Sequence, residues 1–381
     1  MTSKVPTHPI AMVDLENQYR KIKPELDRAL QNVIDSFQFI NGPQVNQFAR
    51  NLERYLGARH VIPCANGTDA LQIALMALGL QPGDEVITAP FTFVATAEVI
   101  ALLGLKPVFV DVHPDTFTID ENRIEEHITP KTRCIIPVHL FGQGSNMEAI
   151  MRIAQKHNLS VVEDNAQAIG ADFRFSDGRT QKLGVIGHIG CTSFFPSKNL
   201  GAYGDGGALF TNDPELGDKI TMIVNHGMKE RYYHDEIGVN SRLDTLQAVI
   251  LDIKLPLLDE YNAARQAAAA RYDKAFAGLK GLTTPKVASY STHVFHQYTL
   301  KVEEGRDRLK SHLQTAGVPT GVYYPVPLHL QKAYRGYGYG EGNFPVSETL
   351  AAQVLSLPMH SELGGEVQDY IIEQTIKGLS L

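Results

Sequence analysis

The chain of 381 residues has no apolar run near the ~20 residues that a membrane-spanning helix needs. Met1 to Pro9 lacks the apolar stretch of a signal peptide. Basic residues are not in excess: 35 Lys and Arg against 42 Asp and Glu leave a formal net charge of -7. Nucleic acid and anionic membrane both call for basic patches, so neither is expected as the main partner. Cysteine is scarce. Cys64, Cys134 and Cys191 are odd in number, far apart and set in or beside apolar strand-like runs. That pattern fits reduced, packed thiols in a cytoplasmic protein. A Gly-Lys-Ser/Thr run is also missing, which disfavours nucleotide triphosphate hydrolysis. What is present is 43% apolar and 20% charged residues, ordinary for a soluble globular protein, over a length that suggests two domains.

Short runs rich in valine, isoleucine and phenylalanine predict strands at 60–65, 85–89, 107–111, 133–138, 159–163, 189–194 and 206–211. Helical spacing fills most gaps. Leu71, Ala74, Leu75 and Leu78 predict a helix over 69–80, with others at 96–103 and 147–157. This alternation implies a mostly parallel sheet covered on both faces, with ligands at the carboxyl ends of its strands. After about Leu255 the pattern changes. An alanine-rich helix at 259–277, a strand at 294–302 and a helix at 306–316 precede an extended segment at 319–328. Helices at 347–356 and 366–379 follow, and Tyr334–Asn343 reads as a surface loop. The expected organisation is an arm at 1–13, a large domain at 14–255 and a small α+β domain at 256–381.

Four stretches carry chemistry. Asn66-Gly67-Thr68-Asp69 joins a strand to a helix, where free N–H groups and the helix dipole favour an anion; capping by Thr68 or Asp69 is the plainer reading. Asp164 closes a strand and Gln167 lies one turn on, so both can face one site, with Glu163 on the opposite face; Asp164 could equally cap a helix. Lys198 sits between Phe194-Phe195-Pro196-Ser197 and a run with four glycines in seven residues (Gly201, Gly204, Gly206, Gly207). A solvated lysine needs no such frame, whereas a lysine held against a flat cofactor does. Ser193 could offer a hydroxyl to a phosphate. Asn240 and Arg242 flank a turn before a helix and could bind phosphate or carboxylate, or serve as cap and ion pair with Asp244.

Together these stretches resemble the DegT/DnrJ/EryC/StrS sugar aminotransferases, pyridoxal-phosphate enzymes of fold type I (aspartate aminotransferase-like). The resemblance runs from about Asp14 to near the C-terminus. It includes Phe39-Ile40-Asn41-Gly42-Pro43, Asn66–Leu71, Pro90–Thr96, Glu163–Gln167, the Lys198 stretch, Asn240–Asp244 and Tyr324–His329. Asn165 stands where many members have alanine, and Ser197 where many have glycine or threonine; neither removes a functional side chain.

The resemblance implies an α/β fold with a mostly parallel central sheet and a smaller C-terminal α+β domain. It implies pyridoxal 5'-phosphate as a Schiff base on Lys198, with pyridoxamine phosphate as intermediate and no metal. Asp164 would pair with the ring nitrogen, Gln167 with the ring hydroxyl, and Phe93 would stack on the ring. Thr68, Asp69 and Ser193 would hold the phosphate. Asn240 would reach the neighbouring subunit's cofactor, making a homodimer part of the site. L-glutamate is the implied donor and a nucleotide-linked keto-sugar the acceptor. The version of the Lys198 stretch looks like members that aminate carbon 3, with a UDP-2-acetamido-2-deoxy-3-oxo-glucuronate type favoured over dTDP-3-keto-6-deoxyhexoses or 4-keto sugars. Arg242, Tyr323, Tyr324 and His329 are candidate substrate contacts. A dehydratase of this family would carry histidine in place of Lys198. A non-catalytic regulator that binds the cofactor is the alternative from another class.

Overall fold

The computed structural model describes Pro6 and His8 to Ser380, so most of the expected arm, residues 1–5 and 7, lies outside the described residues. Two helices come first: α1 (Leu15–Ser36), capped by Asp14 on the Asn17 N–H, and α2 (Pro43–Leu56), with proline in its first turn. The sequence reading assigns neither. The signal was available, since Val45, Phe48, Ala49, Leu52 and Leu56 repeat at helical spacing and are all buried.

Strands and helices then alternate. The order is β1 (His60–Cys64), α3 (Gly67–Ala77), β2 (Glu85–Thr88), α4 (Ala95–Leu102), β3 (Lys106–Phe109), β4 (Thr132–Ile135), α5 (Met147–His157) and β5 (Ser160–Asp164). A small hairpin, β6 (Asp172–Arg174) and β7 (Thr180–Lys182), precedes β8 (Ile189–Ser193), β9 (Gly207–Thr211) and α6 (Pro214–Ile223). All seven strands expected in this half are present, each within one to three residues of its expected ends. They form one sheet in the order β1-β9-β8-β5-β4-β2-β3. Pairs β2·β3, β2·β4, β4·β5 and β5·β8 are parallel; β9 alone runs against its neighbours β1 and β8.

The two-residue strand period divides the core between the faces. Ile87, Ile135 and Val161 pack with Met147 and Ile150 of α5 on one face. Their chain neighbours Val86, Cys134 and Val162 pack with α3, α4 and α6 on the other. The parallel strands therefore end on one edge, where Asn66 and Phe93 follow β1 and β2, and Asp164 and Ser193 close β5 and β8. The three cysteines are free and buried, and burial pushes their thiols up, which suits packing rather than reactivity.

Beyond the hairpin β10 (Met228–Glu230) and β11 (Tyr233–His234) come α7 (Thr245–Lys254) and α8 (Leu258–Phe276). A three-stranded antiparallel sheet follows: β12 (Leu282–Thr283), β13 (Tyr298–Val302) and β14 (Val354–Leu357), with α9 (Arg306–Thr315), α10 (Pro345–Gln353) and α11 (Gly365–Leu379). Three expectations are corrected here. The strand expected at 294–302 starts only at Tyr298, because Phe295 is left-handed at φ 44°. The helix expected to run to Ser356 ends at Gln353, and Val354–Leu357 pairs with β13 instead. Tyr334–Asn343 lies at the surface as expected but is not all loop: a 3-10 helix runs over Lys332–Tyr337, Tyr334 is buried, and Tyr334 and Tyr339 pack on Phe109.

Candidate active site

The first corner is the turn after β1. Asn66, not Thr68 or Asp69, caps α3: its Oδ1 accepts from the Asp69 N–H at 2.8 Å. Thr68 and Asp69 thus lie inside the first turn, and the Gly67 and Thr68 N–H groups have no acceptor among the described residues. A Cβ on Gly67 would lie 2.6 Å from that of Ser193, so only glycine lets the helix start close against the end of β8. This cradle holds Thr68, Asp69 and Ser193 together at a dipole-positive end.

Asp164 ends β5 and is buried. Its Oδ2 accepts from Thr96 Oγ1 at 2.8 Å and its Oδ1 from the Ala166 N–H at 3.2 Å. Residues 166–170 form a turn, not a helix, so the helix-cap reading fails. Burial pushes the Asp164 carboxyl up, while Thr96, Ala166 and the Lys198 charge pull it down. A cation placed on it would favour the carboxylate further.

The side chain before it faces the other way, as the strand period requires. Buried Glu163 accepts from the N–H groups of Gly184, Ile186 and Gly187 at 2.8, 2.7 and 2.6 Å, and pairs with His139 Nε2 at 2.8 Å. The Ser145 N–H donates to His139 Nδ1 at 3.2 Å, which leaves the ring proton on Nε2. This network pins the end of β5, and the sequence reading missed it. Glu163→Gln sets an amide NH2 among donors and is expected to lower stability by about 3 kcal/mol. Denaturant unfolding checks this, and a loss under ~1 kcal/mol would contradict it.

Lys198 lies in the turn beyond β8, partly open to solvent, and its Nζ has no hydrogen-bond or ion-pair partner among the described residues. Burial pushes the amine down to about 8, and Asp164 works against that shift. The turn closes tightly: a Cβ on Gly201 would lie 2.3 Å from the Pro196 carbonyl oxygen, and one on Gly207 2.5 Å from the Asn66 backbone. Gly201, Gly204, Gly206 and Gly207 are not left-handed. Their use is close approach of backbone to backbone, which brings the Lys198 turn beside the Asn66 turn. Buried Lys254 also donates from Nζ to the Gly201 carbonyl at 2.8 Å, a tether with no local sequence signal.

Gln167 is fixed at both ends. Its Oε1 accepts from the Phe141 N–H at 2.7 Å and its Nε2 donates to the Tyr324 hydroxyl at 3.2 Å, leaving one N–H free. Phe93 is 54% exposed and its ring centroid lies 6.3 Å from that of Tyr324. Tyr323 packs edge-on against Tyr324. Arg242 is partly buried and has no ion pair with Asp244 or any other described residue. Asn240 is exposed, bridged through its backbone to Asn225, and the structure does not bring its side chain to the others. Ser241 next to it accepts from the Ala65 N–H at 3.0 Å, which sets this segment beside the Asn66 turn. His329 is buried, pairing through Nε2 with Glu348 at 3.0 Å and packing on Phe344, with its Nδ1 unpartnered.

These groups fit pyridoxal phosphate. A buried acid is short of a cation, a depressed amine is unpartnered, an aromatic face is open, and a glycine-backed helix start offers free N–H groups.

Known proteins agree. A pleiotropic regulatory protein of Geobacillus stearothermophilus is 48% identical over 96% of this chain and 97% of its own length. The UDP-2-acetamido-2-deoxy-3-oxo-D-glucuronate aminotransferase of Pseudomonas aeruginosa is 48% identical over 93% of this chain and 96% of its own. Streptomyces venezuelae DesV, solved in complex with a ketimine intermediate, superposes with a TM-score of 0.94 at 39% identity, covering 98% of this chain and 100% of that one. The architecture is accordingly fold type I, and the protein is an enzyme, a pyridoxal-phosphate-dependent aminotransferase. The pattern of the DegT/DnrJ/EryC1/StrS aminotransferase family matches residues 20–375, and the chain belongs to that family.

Proposed function

We propose that this enzyme moves the amino group of L-glutamate onto carbon 3 of a UDP-linked 3-keto sugar of the 2-acetamido-2-deoxy-glucuronate type. The observation that carries the chemistry is the pair of Lys198, an unpartnered amine pushed down to about 8, and buried Asp164. Support for the sugar comes from the Pseudomonas aeruginosa relative and from Arg242, whose unpaired guanidinium suits a uronate carboxylate. The residues divide as 14–255 for the cofactor and 256–381 for the small domain.

When bound, pyridoxal phosphate supplies an electrophilic aldehyde and a conjugated cationic ring that takes up negative charge from the donor's Cα. Lys198 Nζ would bond the aldehyde carbon at rest. Freed, and increasingly neutral above pH 8, it would take the proton from the glutamate Cα and, in the second half of the reaction, deliver one to the sugar carbon. Asp164 would hold the ring nitrogen, the free N–H of Gln167 the ring hydroxyl, and Phe93 would cover the ring. The Gly67 and Thr68 N–H groups, with the Thr68, Asp69 and Ser193 side chains, would hold the phosphate. Tyr323 and Tyr324 would line the sugar side.

Asn240 would reach the phosphate in a neighbouring subunit, so the working unit is a homodimer. Exposed Phe39, Ile40, Phe195 and Ile237 suit burial by a second copy. Among the described residues no helix is long and apolar enough to cross a membrane, and the place of action proposed is the cytoplasm.

Loading gives the pH test. The bond to the aldehyde needs a neutral amine, so the rate of cofactor uptake by the apo-protein falls about tenfold per pH unit below 8 and levels off above it. A flat profile from pH 6 to 9 would contradict the assignment. The substrate is tested with a panel of UDP- and dTDP-linked 3-keto and 4-keto sugars and glutamate. The UDP-linked 3-keto uronate should exceed the 4-keto sugars by ~100-fold or more in kcat/KM. A loaded protein that prefers a 4-keto sugar would overturn the substrate reading. One that aminates none of them would favour the regulatory role in the Geobacillus stearothermophilus relative's name.

A further inference from the structure

The turn that carries Phe93 has an inner side as well. Phe93 is 54% exposed, whereas Thr92 before it and Thr96 after it are 1% and 0% exposed. The two threonines stand four residues apart about the start of α4, both turned into the protein.

A buried hydroxyl near a helix start commonly bonds a local backbone group. Neither hydroxyl does so among the described residues. Thr96 Oγ1 donates to Asp164 Oδ2 at 2.8 Å, and Thr92 Oγ1 lies 3.3 Å from Thr96 Oγ1. A hydroxyl has one proton to give. With that of Thr96 committed to the carboxylate, Thr92 is the donor of the second bond. The order is therefore Thr92 to Thr96 to Asp164, and each bond in such a chain strengthens the next. The contact is long-range, since β4 lies between β2 and β5 in the sheet.

Asp164 is otherwise held through its backbone. Its N–H donates to the Pro137 carbonyl at 2.9 Å, and its carbonyl accepts from the His139 N–H at 3.0 Å. Those bonds leave rotation of the carboxyl group free. Only two donors act on the group itself among the described residues: Thr96 on Oδ2 and, at 3.2 Å, the Ala166 N–H on Oδ1. The threonine bond is the shorter, and a hydroxyl on a carboxylate is a charge-assisted donor. One donor on each oxygen fixes the plane of the group and leaves each oxygen able to accept once more. Thr96 also opposes burial by favouring the charged form; the titratable neighbours that act on Asp164 are Lys198 and His139.

We propose that Thr96 is a positioning residue of the active site, whose hydroxyl, itself oriented by Thr92, holds the Asp164 carboxylate ionised and turned toward the ring nitrogen of the bound cofactor. The role rests on Asp164 being the acid that pairs with that nitrogen. The Pro90–Thr96 stretch would then serve both sides of the ring: Phe93 covers it, and the two threonines set the acid that keeps it protonated.

The test starts on cofactor-free protein. The infrared band of the protonated Asp164 carboxyl, identified by its loss in Asp164→Asn, gives the midpoint of the Asp164 titration. Thr96→Val removes a donor to the charged form and should raise that midpoint; Thr96→Ser should restore it. With 15N-labelled pyridoxal phosphate bound, the ring-nitrogen NMR shift should move toward that of the unprotonated ring in Thr96→Val and stay in place in Thr96→Ser. Turnover of the valine variant should fall about tenfold in kcat, the worth of one bond to a charged group. Thr92→Val, which leaves Asp164 untouched, should show a smaller loss in the same direction, about threefold. Should Thr96→Val not fold, Thr96→Ala carries the same expectation. An unmoved midpoint or an unmoved nitrogen shift in the folded variant, or serine behaving like valine, overturns the role. Failure of the underlying reading looks different: Asp164→Asn itself would then leave the nitrogen shift where it was.

Discussion

Lys198→Ala is expected to end glutamate-dependent amination, a loss of ~10^4-fold or more in kcat. On the proposed reading the residue would supply both the covalent hold on the cofactor and the proton transfer, and general acid–base catalysis alone is worth about 10^2–10^4. The fold should not suffer. The amine has no hydrogen-bond partner among the described residues and burial disfavours its charge, so alanine removes a disfavoured group. The expected result is thus an inactive protein with an unlowered thermal midpoint that still takes up pyridoxamine phosphate through Asp164 and the Gly67 turn. Activity above ~1% of the unaltered enzyme would show that another amine serves.

Asp164→Asn is the second large effect. On the same reading its carboxylate would keep a bound pyridine ring protonated. Removing one partner of a buried charge pair costs about 3–5 kcal/mol. At 1.36 kcal/mol per tenfold that is roughly 10^2–10^4 in kcat. Asparagine also turns an NH2 toward the Thr96 hydroxyl or the Ala166 N–H, both donors to the carboxylate. Cofactor affinity should fall much less than turnover, because the phosphate turn and Phe93 are untouched. Steady-state kinetics at saturating cofactor, set beside a cofactor titration, separate the two. Equal loss in both would mean that Asp164 merely helps to bind.

The strands around this site were legible because the sheet is buried on both faces. A parallel strand covered by helices reads as an unbroken apolar run, and Val86-Ile87, Cys134-Ile135 and Val161-Val162 each serve two cores. Lys198 and Asp164 were legible through their frames and the family they resemble. What the sequence hid depends on backbone angles and distant partners. Phe295 at φ 44° breaks an apparent strand and turns His296 inward, and nothing in Val-Phe-His-Gln announces it. Val-Leu-Ser-Leu at 354–357 continues a helical spacing, yet pairing with β13 makes it a strand. Thr96 lies 68 residues from the Asp164 it supports, and Lys254 is 53 residues from Gly201. His329 looked like a contact because it follows a motif; its partner Glu348 came only with the fold.

The glycines after Lys198 act through clearance rather than through special backbone angles. They mark the lysine as special, but none takes a left-handed angle. They allow the chain beyond the Lys198 turn to lie against the Asn66 backbone.

The central claim is that Lys198 carries the cofactor opposite Asp164. It is tested most directly by loading the protein with pyridoxal phosphate, reducing it with borohydride and mapping the modified peptide by mass spectrometry. The account predicts one phosphopyridoxyl group per chain, on Lys198, and none when glutamate is added before reduction. A modification on Lys254 or any other lysine, or none at all, would contradict it.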